Sequence, residues 1–173
     1  MGKLSLFKVP FVLASLAVVL LSGCSKIKDN RVPMMQVNIV FNTSSMWELY
    51  GVHGYGDYKK FIRHSRIPAN FPYNANTYTG FGGVLLISGY DFTTQNYNSP
   101  LAYDLACPYE VRADVLLEVD GDNFEAYCPQ CGSRFNVTEG SGIPVAGPAY
   151  DHGYGMLRYN VRQESSGGYV ITN

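Results

Sequence analysis

Two cysteine–proline elements constrain the fold of this chain more than any other feature of its sequence. Residues 107–110 read CPYE, and residues 128–135 read CPQCGSRF. Each element puts a Cys-Pro pair at the end of a strand candidate, just before a tight turn. Turns of this kind point backbone N–H groups at the sulfur, which stabilises a thiolate and a metal–sulfur bond. Cys128 follows Cys107 by 21 positions, which one hairpin can fill. The sequence therefore predicts that the two elements meet at one metal-binding tip.

The start of the chain reads as a bacterial export signal. A basic beginning precedes an apolar run at 9–21, which is shorter than a membrane-spanning helix needs. Residues 21–24 (LSGC) resemble the lipobox of bacterial lipoproteins, in which the cysteine becomes the acylated first residue of the mature protein. The resemblance implies a signal peptide at 1–23 and an acylated Cys24.

An acylated Cys24 would anchor the protein stably in a lipid bilayer of the bacterial cell envelope, because several acyl chains would be buried in the lipid. Ser25 follows it, and in bacteria that sort lipoproteins by this position a residue other than Asp favours the outer membrane. Residues 24–33 are polar and contain a proline, so they are predicted to be a tether. Loss of 1–23 removes two lysines and changes the net charge from −1 to −3, which argues against nucleic acid as a partner.

Residues 34–173 are predicted to form a single all-β domain, because short apolar or alternating runs are separated by glycine, proline and asparagine. The two clearest hairpins span 114–128 and 156–172. Residues 46–66 are ambiguous, because three glycines interrupt an apolar-rich segment, and residues 67–82 read as an ordered loop. The predicted strands lie at 34–41, 83–88, 101–106, 114–119, 124–128, 134–137, 156–163 and 169–172.

From residue 83 onward, the order of motifs resembles that of the Rieske [2Fe–2S] domain. This family has a Cys-x-His element, a hairpin, a Cys-Pro-x-His-Gly-Ser/Trp-x-Phe element, a Gly-Pro-Ala loop and a final hairpin. The resemblance implies an antiparallel β-sandwich with a small rubredoxin-like tip made of two knuckles. It also implies iron–sulfur binding, electron transfer and a redox or assembly partner protein that docks at the tip. The matching positions are Cys107, Cys128, Pro129, Gly132, Ser133, Phe135 and the GPA loop at 147–149.

The chain departs from the Rieske pattern at the ligands. In a Rieske centre two cysteines bind one iron and two histidines bind the other, whereas Tyr109 and Cys131 stand at the histidine positions here. The implied ligand set is therefore Cys107, Cys128, Cys131 and Tyr109 around an atypical [2Fe–2S] cluster. Because neutral histidines raise the potential of Rieske clusters, we expect no high-potential centre. Supporting positions around these ligands would be Pro108, Pro129, Gly132, Ser133 and Pro148.

The three cysteines that remain besides Cys24 also permit other chemistry. Three thiolates suit Zn²⁺ together with one histidine, and His152 lies just beyond the Gly-Pro-Ala loop. Without metal, a disulfide between Cys107 and Cys128, or between Cys107 and Cys131, would close a tip used for binding or assembly. A Cys128–Cys131 redox pair is not favoured, because no helix is predicted after Cys131 to lower a thiol pKa. No motif indicates an enzyme that transforms a substrate.

Overall fold

The structure, a computed structural model, describes residues 26–139 and 141–173, so the predicted signal peptide and Cys24 lie outside the described residues. The described chain is all-β, as the sequence predicts, with two short helices. Within these ranges, no helix has the length and apolar character that crossing a membrane requires. In chain order the elements are β1 (Val37–Phe41), α1 (Ser44–Tyr50), β2 (Tyr58–Phe61), β3 (Tyr78–Thr79), β4 (Val84–Asp91), β5 (Asn96–Asp104), β6 (Glu118–Asp120), β7 (Glu125–Tyr127), β8 (Arg134–Asn136), β9 (Ile143–Ala146), α2 (Pro148–His152), β10 (Arg158–Gln163) and β11 (Tyr169–Thr172).

Seven strands form a larger antiparallel sheet in the order β2-β4-β5-β10-β11-β1-β3. The long β4–β5 hairpin lies near one edge, and its register runs from Val84 opposite Asp104 to Asp91 opposite Asn96. The β10–β11 hairpin continues the sheet to β1, which pairs with β11 on one side and β3 on the other. The segment 34–82, for which the sequence indicates no motif, therefore supplies both edge strands of the larger sheet.

Four strands, β6-β7-β8-β9, form a smaller antiparallel sheet that carries the second cysteine element. Arg134 on β8 ties three of these strands together, because its guanidinium bonds Glu125 on β7 at 2.5 Å and Asp120 on β6 at 2.6 Å. The Asn123 side chain and the Arg134 guanidinium lower the pKa of Asp120 to about 2. The carboxylate of Asp120 therefore stays charged, and the sheet stays tied, over the whole physiological pH range.

Two hydrophobic cores lie on opposite faces of the β4–β5 hairpin. Val84 and Leu86 point into the first core with Phe41 and Trp47, and Leu85 points into the second. A strand that is buried on both faces reads as a continuous apolar run rather than an alternating one, which explains the sequence VLLI at 84–87. The second core lies between the two sheets, and the cysteines are part of it.

Asp104 fixes the end of β5, from which the chain enters the first cysteine element. Its buried carboxylate accepts the backbone N–H groups of Phe81 at 2.9 Å, Gly82 at 3.0 Å and Ala106 at 2.7 Å. The Tyr159 hydroxyl on β10 donates a fourth hydrogen bond at 2.6 Å. A buried carboxylate is tolerated when donors surround it in this way. This one holds the loop before β4 and strand β10 against the end of β5.

The structure differs from the sequence predictions in two segments. The ambiguous segment 46–66 contains most of α1, whose Thr43 side chain caps the helix by accepting the Met46 N–H at 3.2 Å, and strand β2. The predicted strand at 114–119 is wrong over most of its length, because only its end belongs to β6. The preceding residues instead pair with the segment that follows β5, through an isolated bridge between Ala106 and Leu116.

Candidate metal centre

The first cysteine turn (residues 107–111) reverses the chain directly after the end of β5. The Cys107 N–H donates to the Val115 carbonyl at 3.1 Å, and the Val111 N–H donates back to the Cys107 carbonyl at 2.9 Å. Val111 has φ of +53°, a backbone conformation that a β-branched residue rarely adopts. Pro108 is buried beneath the turn. These bonds hold the Cys107 side chain inside the second core, where it is fully buried.

The second cysteine turn (residues 128–133) joins β7 to β8. The Cys128 N–H donates to the Ser133 carbonyl at 2.8 Å, and the Gly132 N–H donates to the Cys128 carbonyl at 2.9 Å. Gly132 has φ of +74°, so the small residue that the sequence places after the last cysteine meets a real backbone requirement. Pro129 is exposed on the outside of the turn.

The two turns bring three sulfur atoms together. The Sγ atoms of Cys107, Cys128 and Cys131 all lie within 4.8 Å of one another, and those of Cys107 and Cys131 are 3.7 Å apart. Cys107 and Cys128 are fully buried, whereas Cys131 is half-buried, and all three are free thiols. Three soft ligands this close together could hold a metal ion.

Burial and backbone dipoles act on these sulfurs in opposite directions. Burial raises the pKa of the Cys107 thiol, and the backbone N–H groups of Glu110 and Tyr109 counteract this rise. Burial likewise raises the pKa of the Cys128 thiol, against the N–H groups of Cys131 and Gln130. Each buried sulfur thus faces the amides two and three positions further along the chain. Amides in these positions would stabilise a thiolate that a metal ion had already deprotonated.

The Gly-Pro-Ala loop at 147–149 packs on the second cysteine turn. Ser133 is fully buried, and its Oγ accepts the Ala149 N–H at 3.0 Å and lies 3.1 Å from the Cys131 Sγ. Gly147 has φ of +77°, and a Cβ atom there would come within 2.8 Å of the Ser133 Cα. The loop therefore approaches closely only because residue 147 is glycine, and Pro148 then begins α2. Of the predicted supporting positions, Ser133 is the one in direct contact with a thiol through a polar atom.

The two candidates for a fourth ligand, Tyr109 and His152, stack on each other. The half-buried Tyr109 ring packs against the second core and lies 6.0 Å from the exposed His152 ring, with 26° between the two planes. His152 does not join the group of three cysteines among the described residues, and its ring stacks on Tyr154 at 5.3 Å. Ligation by Tyr109 stays a prediction, as does a disulfide from Cys107 to Cys128 or Cys131.

Sequence reasoning missed two polar groups that shape this region. One is Asp104, which the sequence LAYDLA at 101–106 places inside an apolar run; an acid in such a run is a signal for a buried and fully bonded carboxylate. Arg134 carried no signal, because its partners Asp120 and Glu125 lie on strands whose pairing only the fold establishes.

No protein-family model matches the chain, and a comparison with curated proteins finds no match. Its function therefore has to be argued from the geometry of the cysteine turns and from the motifs of the sequence.

Proposed function

We propose that this protein is a lipid-anchored, Rieske-like β domain that binds a single metal ion through Cys107, Cys128 and Cys131. The observation that carries the proposal is the convergence of three sulfurs within 4.8 Å at two turns, which direct backbone amides at the sulfurs of Cys107 and Cys128. Ligand groups that are preassembled in a rigid core need little reorganisation when a metal arrives. The metal would in turn provide the positive charge that buried thiolates need.

The sulfur separations support one ion rather than a two-iron cluster. In a tetrahedral zinc site, bonds of about 2.3 Å put two sulfurs about 3.8 Å apart, and the Cys107 and Cys131 sulfurs are separated by 3.7 Å. In the Rieske arrangement positions 107 and 131 would bind different irons. Ligands on different irons lie farther apart than ligands on one iron, because both metal ions stand between them. The three thiols therefore fit the ligand division of a [2Fe–2S] cluster poorly.

Zinc is the ion that this donor set suits best. Thiolates are soft ligands, and Zn²⁺ accepts three or four of them in a tetrahedron without any preference from its d electrons. The fourth position would be filled by water, by the Tyr109 phenolate or by a group from a partner. Zn²⁺ has no redox chemistry, so the proposed centre shapes the tip and offers an open coordination position. Electron transfer, which the Rieske resemblance implies, would require iron at the same thiols.

Metal analysis tests the proposal directly. A chain that begins at Ser25 should be purified without oxygen, and its zinc, iron and acid-labile sulfide measured. We expect one metal ion per chain and no labile sulfide, and we expect Cys131→Ser to lose the ion. Tyr109→Phe is the matched variant, because it removes only the phenol oxygen and keeps the ring contact with His152. Two irons and two sulfides per chain would overturn the single-ion proposal in favour of the cluster.

The second candidate function is a metal-free tip that is closed by a disulfide and used for binding or assembly. The short distance between the Cys107 and Cys131 sulfurs favours it. A movement of less than 2 Å would bring these sulfurs from 3.7 Å to bonding distance. A disulfide that closes the loop between Cys107 and Cys131 would stabilise the domain by roughly 3 kcal/mol in the chain-entropy model. Counting free thiols in the aerobic, metal-free protein tests this candidate. One free thiol per chain would support it, and three would exclude it.

The proposed membrane anchor rests on the lipobox at 21–24. Cell fractionation of the full chain tests it, with Cys24→Ala as the variant. We expect the unaltered chain in the membrane fraction, with an acylated N-terminal peptide by mass spectrometry, and the variant in the soluble fraction of the envelope. Membrane association of Cys24→Ala would show that acylation at this residue is not the anchor.

A further inference from the structure

Residues 26–32 are bound to the body of the domain. The Lys28 N–H donates to the Gly153 carbonyl at 2.7 Å, and the Gly155 N–H donates to the Lys28 carbonyl at 2.9 Å. These two bonds form an isolated parallel bridge between Lys28 and Tyr154. Four residues later the Val32 side chain is buried in the first core, with 2% of its surface exposed. The beginning of the described chain is therefore fastened to the strand-like segment that follows α2.

The fastened segment lies beside the first cysteine turn. The Arg31 guanidinium carbon is 4.4 Å, and the Lys28 Nζ 5.8 Å, from the centre of the Tyr154 ring. Tyr154 stacks on His152 at 5.3 Å, and His152 stacks on Tyr109 at 6.0 Å. A continuous series of ring and cation contacts thus joins the start of the domain to the residue two positions after Cys107.

The chain reaches the proposed lipid anchor within a very short distance of this contact. Lys26 is two positions after Cys24, and two residues span at most about 7 Å. An acyl chain on Cys24 would therefore bring the membrane surface close to the side of the domain that holds residues 26–31. A tether of this length does not allow the opposite side of the domain to face the lipid while the segment stays bound.

The surface around this segment has the chemistry of a membrane-contacting face. A groove of about 480 Å³ is lined by Ile27 and Tyr150, which are 43% and 61% exposed, and by the basic Lys26. Exposed aliphatic and tyrosine side chains favour the boundary between lipid headgroups and acyl chains. Asp29 and Asp151 offset part of the positive charge of the lysines and Arg31, so apolar burial and the short anchor contribute more than charge does.

We propose that this face, formed by residues 26–31 and 150–154, lies on the headgroups of the anchoring bilayer and holds the cysteine turns at the membrane surface. The inference rests on the proposed acylation of Cys24. It goes beyond anchoring, because it assigns the domain one orientation. The metal centre would then meet its partners at the lipid surface.

Energy transfer from tryptophan to dansyl-labelled headgroups tests the orientation. Tyr150→Trp places a donor on the proposed face. Phe92→Trp is the matched control, because Phe92 is 64% exposed and lies outside the proposed face, in the turn after β4. Both variants are made in the acylated full-length protein and placed in vesicles of phosphatidylethanolamine and phosphatidylglycerol. The wild-type signal of Trp47, the one tryptophan of the chain, is subtracted.

We expect higher transfer from Tyr150→Trp than from Phe92→Trp. A ten-residue Gly-Ser insert between Ser25 and Lys26 leaves every contact of residues 26–31 in place and should abolish the difference. Equal transfer from the two positions, or a difference that survives the insert, would overturn the proposed orientation. Acylation is verified by mass before the vesicles are made, and metal content is measured separately. A failure of the orientation is thus distinct from a failure of the anchor or of the metal site.

Discussion

Ser133→Ala should destabilise the region around the cysteine turns. The Ser133 Oγ is buried and accepts the Ala149 N–H at 3.0 Å. Alanine leaves that N–H without its acceptor, and a buried donor without a partner costs about 1–3 kcal/mol. For a chain of this size, a loss of about 2 kcal/mol lowers the Tm by about 4–8 °C. The fall should be present in the metal-free protein, because the hydrogen bond does not depend on metal.

The same substitution should also weaken metal binding. The Ala149 N–H occupies one lone pair of the Ser133 Oγ, and the hydroxyl hydrogen can turn towards the Cys131 Sγ, 3.1 Å away, once that sulfur has lost its proton. Serine would then donate to the thiolate that the proposed site requires. Loss of such an outer partner lowers metal affinity by about 10–100-fold in other sites.

Circular dichroism melts and competition with a zinc chelator measure the two effects separately. Ser65→Ala is the control, because Ser65 is exposed and lies outside both cysteine turns. We expect the control to keep the Tm and zinc affinity of the unaltered chain. If Ser133→Ala also kept both, the described contacts of Ser133 would have no energetic role. A lower Tm with unchanged affinity would refute the proposed bond to the Cys131 thiolate alone.

Three further predictions follow from other contacts. Gly147 has a positive φ, and in Gly147→Ala the new Cβ would lie within 2.8 Å of a Cα atom of the second cysteine turn. We therefore expect the free energy of unfolding in urea to fall by about 1–3 kcal/mol. Gly121→Ala is the control and should be nearly neutral, because its Cβ would meet open space. Asp104→Asn turns an amide NH₂ towards buried donors, so we expect the free energy of unfolding to fall by about 3 kcal/mol or the protein not to fold. An unfolding curve like that of the unaltered chain would contradict the role assigned to this carboxylate. The pKa of Asp120 is about 2 in the folded protein and about 3.9 in the unfolded chain, so this carboxylate stabilises the fold at pH above 3.9, and the stabilisation is lost as the pH falls towards 2. NMR titration should show a higher Asp120 pKa in Asn123→Ala, and an unchanged pKa would contradict the assigned cause.

The strands that carry local patterns could be predicted from the sequence. In the hairpin at 156–172, apolar and polar residues alternate and a Ser-Gly turn joins the two strands. This hairpin is present as β10 and β11. The apolar run at 83–88 is present as the first part of β4. The convergence of the cysteines was also predicted, because a hairpin brings its flanking residues close together.

The contribution of residues 34–82 could not be predicted, because it depends on pairings between distant parts of the chain. Strand β1 pairs with β11, more than 120 positions away, where Phe41 faces Tyr169. Such registers follow from the packing of buried faces rather than from local propensity. The prediction of a strand in the segment before β6 was wrong for a related reason. Its apolar residues Val115 and Leu117 are buried, but their backbones bond to the first cysteine turn and to the residue after β5 instead of forming a regular strand.

Burial of the thiols would also explain how an odd number of cysteines persists in the oxidising compartment that the proposed envelope location implies. The thiolate, not the thiol, reacts with oxidants and disulfides. Burial raises the pKa of both Cys107 and Cys128, so the metal-free protein keeps these two sulfurs in their less reactive form. The same burial makes any metal bound there difficult to displace by water, because a charged thiolate released in the core would lack solvent. Protection of the free thiols and retention of the proposed metal would therefore have one physical cause, which is the position of the cysteine turns inside the second core.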